Sequence, residues 1–130
     1  HITLAYFDQK STVDYIGVVQ GIPVCFDAKE VSTNTFPLAN IHDHQIEFME
    51  EFEKQGGISF FLLYYSSIEQ FYYLTYRELR CFFERKVAGG RKSFRFEELN
   101  PEYFFKQGKG VLVPYLDMLA KDLEERESQL

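Results

Sequence analysis

The chain has 130 residues, 45% of them hydrophobic and 26% charged, with a formal net charge of -6. That length builds one compact domain with a real core and excludes a multi-domain machine, and the composition excludes disorder, collagen and low-complexity repeats. The negative charge argues against a simple nucleic-acid coat, the aromatic content of 18% favours strands, and an opening at His1 rather than at a methionine suggests a fragment.

Val13 to Val19 and Ile22 to Lys29 are rich in β-branched and aromatic residues and flank Gln20-Gly21, which predicts two strands joined by a hairpin turn. From Asn40 to Lys54 the apolar positions Ile41, Ile46, Phe48, Met49 and Phe52 fall at near-helical spacing, and Gly56-Gly57 supplies the stop. Ile58 to Tyr65 is a short, nearly continuous apolar run, the pattern of a strand covered on both faces at the centre of a sheet, and Gln70 to Leu74 reads as its antiparallel neighbour. A helix over Tyr76 to Val87 ends at Gly89-Gly90, Phe94 to Phe96 is a brief extended segment, and Tyr115 to Arg126 is an amphipathic helix. This order favours an α/β layer with a mixed sheet. No apolar run is long enough to span a membrane, no signal peptide is visible, and Cys25 and Cys81 read as reduced, buried thiols, so a soluble intracellular protein is expected.

The hairpin carries the chemistry. A two-residue loop pairs Val19 with Ile22, and stepping along the strands sets Asp14 opposite Asp27 and Thr12 opposite Lys29. Side chains two apart share a face, so Thr12, Asp14, Asp27 and Lys29 project together from one side of the ribbon. Opposed Cβ atoms lie roughly 5 Å apart, and two carboxylates at that distance repel unless a cation lies between them or one keeps its proton. A hard divalent cation such as magnesium takes two carboxylates plus other oxygens, and a lysine beside it can stabilise charge developing on phosphorus or orient a water. Spacing alone leaves a second account open, in which Asp27 and Lys29 form an ordinary same-face ion pair and Asp14 is a surface acid.

Asp14 followed by Asp27-Ala28-Lys29 looks like the PD-(D/E)XK nuclease motif. The wider pattern, Ser11-Thr12-Val13-Asp14-Tyr15, Phe26-Asp27-Ala28-Lys29-Glu30, Phe36-Pro37-Leu38, Asn40-Ile41-His42-Asp43-His44-Gln45, Gly56-Gly57-Ile58 and Gly89-Gly90-Arg91-Lys92-Ser93, resembles the RecU-type Holliday-junction resolvases of Gram-positive bacteria, also called penicillin-binding-protein-related factor A. The resemblance implies a restriction-endonuclease-like fold, a mixed central sheet flanked by helices, with residues 1–130 forming a single nuclease domain. It implies metal ligands at Thr12, Asp14, Asp27 and Gln45, magnesium as the cofactor with manganese as a substitute, and Lys29 as transition-state stabiliser. Gln45 rests on the resemblance alone; without it, a solvent-facing helix glutamine is the plainer account. The sequence departs from the family at Asp27, where these enzymes often carry Glu, and at its start, where the family's N-terminal segment and protruding basic stalk are expected to be missing.

Charge placement says more than net charge. Between Arg80 and Lys109 lie eight basic residues against four acids, while Asp43 to Glu53 and Asp117 to Glu127 hold much of the negative excess. Arg91, Lys92 and Arg95, interleaved with Phe94 and Phe96, are candidates to track a DNA backbone; the competing account is a solvated surface over aromatic anchors. His42 and His44 with either cysteine make a poor zinc set because histidines two apart do not share a helix face. Arg85 stands where a Walker loop needs its first glycine.

The sequence therefore predicts a magnesium-dependent endonuclease that resolves four-way DNA junctions by paired symmetric nicks in recombination and repair. A homodimer follows from the symmetry of the substrate. A strand-exchange recombinase as partner, and a cytoplasmic, nucleoid-associated location in bacteria, follow from the resemblance. The alternatives are a same-fold nuclease with another DNA target and a non-catalytic module that binds DNA or modulates a recombinase.

Overall fold

The computed structural model describes residues 13–106 and 113–129. Among these residues, seven strands, β1 (Tyr15–Val19), β2 (Ile22–Val31), β3 (Thr35–Pro37), β4 (Ile58–Tyr65), β5 (Gln70–Thr75), β6 (Ser93–Arg95) and β7 (Phe104–Phe105), are interspersed with three α-helices, α1 (Asp43–Lys54), α2 (Tyr76–Val87) and α3 (Val113–Ser128). The main sheet runs β1-β2-β4-β5-β7, and β3 pairs with β6 in a small ribbon. The β2–β4 pair is parallel and the other pairs are antiparallel, so the sheet is mixed, and α1 lies in the crossover that parallel pairing requires.

Local chemistry explains the boundaries. The β1–β2 turn has φ of 51° at Gln20 and 83° at Gly21, the doubly left-handed pattern of a tight hairpin whose twist matches its strands. At the end of α1, Gly56 N–H bonds to the Glu53 carbonyl and Gly57 N–H to the Phe52 carbonyl, a Schellman motif that needs the left-handed Gly56 at φ 89°. Gly89 and Gly90 close α2 by the same two bonds, to the Lys86 and Arg85 carbonyls. The predicted helix start at Asn40 is too early. Leu38–Asn40 forms a 3-10 turn, and α1 begins after His42, whose N–H is held by the Gln45 side chain three residues on.

Adjacent residues of β5 show how the layers are assigned. Tyr72 hydroxyl donates to Glu78 of α2, and Tyr73 hydroxyl donates to Asp122 of α3, so these helices cover opposite faces. Ser59 bonds to Met49 carbonyl and Glu53 of α1 on the face it shares with Phe61, which pairs with Leu74; α1 and α2 therefore share a face. Under α3, rings of Tyr15, Phe26, Phe60, Tyr73 and Tyr103 follow one another across the sheet at centroid separations of 4.9, 5.1, 4.1 and 5.6 Å. On the opposite face Phe94 of the small ribbon stacks on Phe82 of α2 at 4.4 Å. The high aromatic content thus builds cross-strand ladders, each contact adding about 0.5–1.5 kcal/mol beyond area burial.

One buried polar cluster ties the layers together beside the start of β4. Asp122, fully buried, takes Tyr73 hydroxyl, Arg77 and Arg126, and Arg126 also forks onto Glu53, which holds Ser59 N–H and hydroxyl. Of the two cysteines, Cys25 is buried as predicted, but Cys81 is exposed because it falls on the outer side of α2; both are free thiols. Among the described residues no helix is long and apolar enough to cross a membrane.

Candidate active site

Register fixes the first part of the site. Tyr15 pairs with Phe26, so Asp14, one residue before β1, meets Asp27 of β2. There the ladder is closed by side chains rather than by carbonyls. Asp14 N–H donates to Asp27 Oδ1 at 2.9 Å, and Ala28 N–H donates to Asp14 Oδ2 at 3.1 Å. Each carboxylate is thereby held by the backbone of the facing strand. Asp14 is exposed, whereas Asp27 is only 5% exposed.

A buried carboxylate needs partners of positive character, and Asp27 Oδ2 has two. Lys29, two residues on along the same face of β2, places Nζ at 3.2 Å. Gln45, in the first turn of α1, donates from Nε2 at 3.2 Å. Gln45 is itself only 5% exposed, which corrects the solvent-facing account that the sequence alone favours. The late start of α1 explains it, since Gln45 sits at the third helical position, turned back toward the sheet. The predicted Thr12 lies outside the described residues.

The donor set suits a hard cation. Two carboxylates and one amide carbonyl, with water completing the shell, are the oxygen ligands magnesium takes. Among the described residues no three His, Cys, Asp or Glu side chains converge as a metal cluster, so a cation here must rely on the two aspartates with neutral oxygens. His42 and His44 stack ring on ring at 5.4 Å at the entry to α1. Cys25, two residues before Asp27, is no nucleophile: burial first, then the Glu53 and Asp27 charges, pushes its thiol up, so it stays protonated.

The basic segment is more neutralised than its sequence implies. Glu98 binds Arg85 at 2.6 Å and Arg91 at 3.2 Å and accepts Arg95 N–H at 2.9 Å. Arg80 likewise meets Glu84 and Glu50. The charge excess is thus local pairing as much as a polar face. Arg91 and Arg95 still line an open cavity of about 500 Å³ with Asn34, Thr35, Glu97 and Glu98. Exposed Lys92 is anchored by its carbonyl, which accepts Leu38 N–H just ahead of α1. His42 stands at the helix entry, as a polar residue there is expected to, but sequence reasoning missed the capping roles of Gln45 and Glu98; both were legible as an x-x-x-Glu/Gln pattern, with Glu98 three residues after Arg95 and Gln45 three after His42.

A mixed sheet flanked by helices, with Asp27 and Lys29 on β2 and Asp14 at the entry to the neighbouring β1, defines a domain of the restriction-endonuclease-like class. The family model "Recombination protein U", RecU, matches residues 1–121, and the chain belongs to that family. It is 50% identical over 96 residues to the Holliday junction resolvase RecU of Bacillus pumilus strain SAFR-032, covering 73% of this chain and 46% of that protein. Identity to the Bacillus subtilis strain 168 protein of the same name is 41% over 119 residues, covering 90% and 57%. For that of Streptococcus agalactiae serotype III it is 40% over 124 residues, covering 94% and 61%. The chain therefore spans roughly half to three-fifths of the length of these relatives.

Proposed function

We propose that this chain is a single nuclease domain that hydrolyses DNA phosphodiesters at four-way junctions, in a divalent-metal-dependent reaction, during recombination and repair. The observation that carries the reading is the convergence of Asp14, Lys29 and Gln45 on buried Asp27, in a member of a family whose relatives are named Holliday junction resolvases. Asp14 and Asp27, with oxygens from Gln45 and Thr12, hold magnesium, for which manganese can substitute. When bound, the cation supplies Lewis-acid stabilisation and makes a water nucleophilic near neutral pH. Lys29 Nζ stabilises the charge that develops on the phosphate oxygens. Burial of Asp27 and Gln45 excludes bulk water from that side and keeps these electrostatic interactions strong.

Arg91, Lys92 and Arg95 contact the DNA backbone beside the site, since the Lys92–Leu38 bond ties their ribbon to the segment leading into α1. Two symmetric nicks call for two sites, hence a homodimer. A cytoplasmic, nucleoid-associated enzyme working with a strand-exchange recombinase fits this substrate.

The test is D27N, which keeps size and removes charge, with DNA binding and magnesium-dependent cleavage measured side by side on four-way junction, flap and linear duplex. The expected result is retained junction binding and cleavage lowered at least 100-fold. Undiminished cleavage by D27N would sink the assignment. Preference for flap or duplex would move the substrate elsewhere, and wild-type binding without cleavage would favour a non-catalytic module.

A further inference from the structure

The Gln45 amide faces away from the orientation a cation on Asp27 requires. Its Nε2 donates to Asp27 Oδ2 at 3.2 Å, and its Oε1 accepts His42 N–H at 3.3 Å. The partners fix that orientation, because a backbone N–H can only donate and a carboxylate accepts. An amide holds a hard cation through its oxygen, however. A half-turn of the amide brings Oε1 toward Asp27 and sets the NH2 group against His42 N–H, donor against donor. The capping bond on the His42 N–H is then lost, while Gln45 N–H and Ile46 N–H still hold the His42 carbonyl. The same Asp27 oxygen carries Lys29 Nζ at 3.2 Å, so a cation arriving there displaces two donors from one atom.

We propose that Gln45 is a switch that couples cation binding at Asp27 to the N-terminus of α1. Cation binding turns the amide, releases His42 N–H and detaches Lys29 from Asp27. The effect on the reaction is one of order. Lys29 is held on the carboxylate until the cation takes its place, and only then is its ammonium available to a phosphate. This inference rests on the metal-dependent reading above. Gln45 acts here as a positioning residue as well as an oxygen donor, and it does so because a buried amide has two unlike ends, its oxygen on a backbone N–H and its nitrogen on a carboxylate.

The experiment is a magnesium titration of the protein in the absence of DNA, with binding followed by calorimetry, and His42 amide exchange and the Gln45 side-chain NH2 signals followed by NMR. Saturation should speed His42 exchange on the order of tenfold, as loss of a capping bond does, and shift the Gln45 NH2 signals. In Q45E one carboxylate oxygen can keep His42 N–H while the other faces the cation. That variant should bind magnesium about tenfold more tightly and show no change in His42 exchange on binding. Magnesium binding to the wild type with His42 protection unchanged would overturn the switch and leave the metal site standing. Absence of any magnesium binding would overturn the metal-dependent reading together with the switch.

Discussion

Replacing Lys29 with methionine separates what this side chain does for the fold from what it does for the chemistry. Its Nζ lies 3.2 Å from Asp27 Oδ2, with the lysine side chain 21% exposed and the aspartate 6%. At that distance, and at the effective dielectric of a protein margin, the gross attraction is about 5 kcal/mol, most of it offset by desolvation. Asp27 keeps Asp14 N–H and the Gln45 amide as partners, so K29M should destabilise the fold by only about 1–2 kcal/mol. The loss in cleavage should be much larger. An ammonium aimed at developing phosphate charge is worth about 10²–10³ in rate. Single-turnover cleavage of a labelled four-way junction at saturating protein reads the chemical step, and a urea titration of the same preparation reads stability. Magnesium affinity should rise, because the cation no longer competes with Lys29 for Oδ2. Cleavage within fivefold of wild type in a folded K29M protein would refute the role assigned to Lys29.

Three further substitutions probe the scaffold. E53Q puts an amide NH2 among Ser59 and Arg126 donors, while Asp122 still holds Arg126, so a loss of about 2–3 kcal/mol is expected in urea unfolding, and a change below 0.5 kcal/mol would remove the clamp from the account. G57A places a Cβ 2.5 Å from Phe52 ring carbons at the end of α1 and should cost about 1–3 kcal/mol, read as a lower thermal midpoint. Burial pushes the Glu78 carboxyl above its usual range, against the Tyr72 hydroxyl bond and Arg77. A raised folded-state value means that its contribution is full below about pH 4 and is lost as pH rises through that value. E78Q keeps an acceptor for Tyr72 without the charge, so its urea midpoint should gain on wild type from pH 4 to pH 8; a gap that stays constant would contradict the assignment.

What the sequence made legible is what depends on period and on turn chemistry. The Gln20-Gly21 hairpin sets the register that brings Asp14 to Asp27, and two glycine pairs mark the C-terminal ends of α1 and α2, because these features are fixed by bonds between near neighbours. The apolar run Ile58 to Tyr65 is the central strand, as a segment with both faces covered must be. Strand order, the small β3–β6 ribbon and the Asp122–Arg126–Glu53 cluster join residues far apart in the chain, and no local pattern encodes such pairs.

Gln45 lies between these cases. Helical periodicity put it outside the apolar stripe, and on that ground it belonged to solvent; the resemblance put it on the metal. The structure shows a third thing that either account alone misses. By starting α1 three residues later than periodicity suggests, the chain makes Gln45 the residue whose side chain both caps the helix and fastens Asp27. A residue with two obligations cannot be assigned from hydrophobic pattern, which weighs burial alone. It is legible only as a capping position, His42 followed three residues later by glutamine, and that pattern gains chemical meaning when β2 places a carboxylate within its reach.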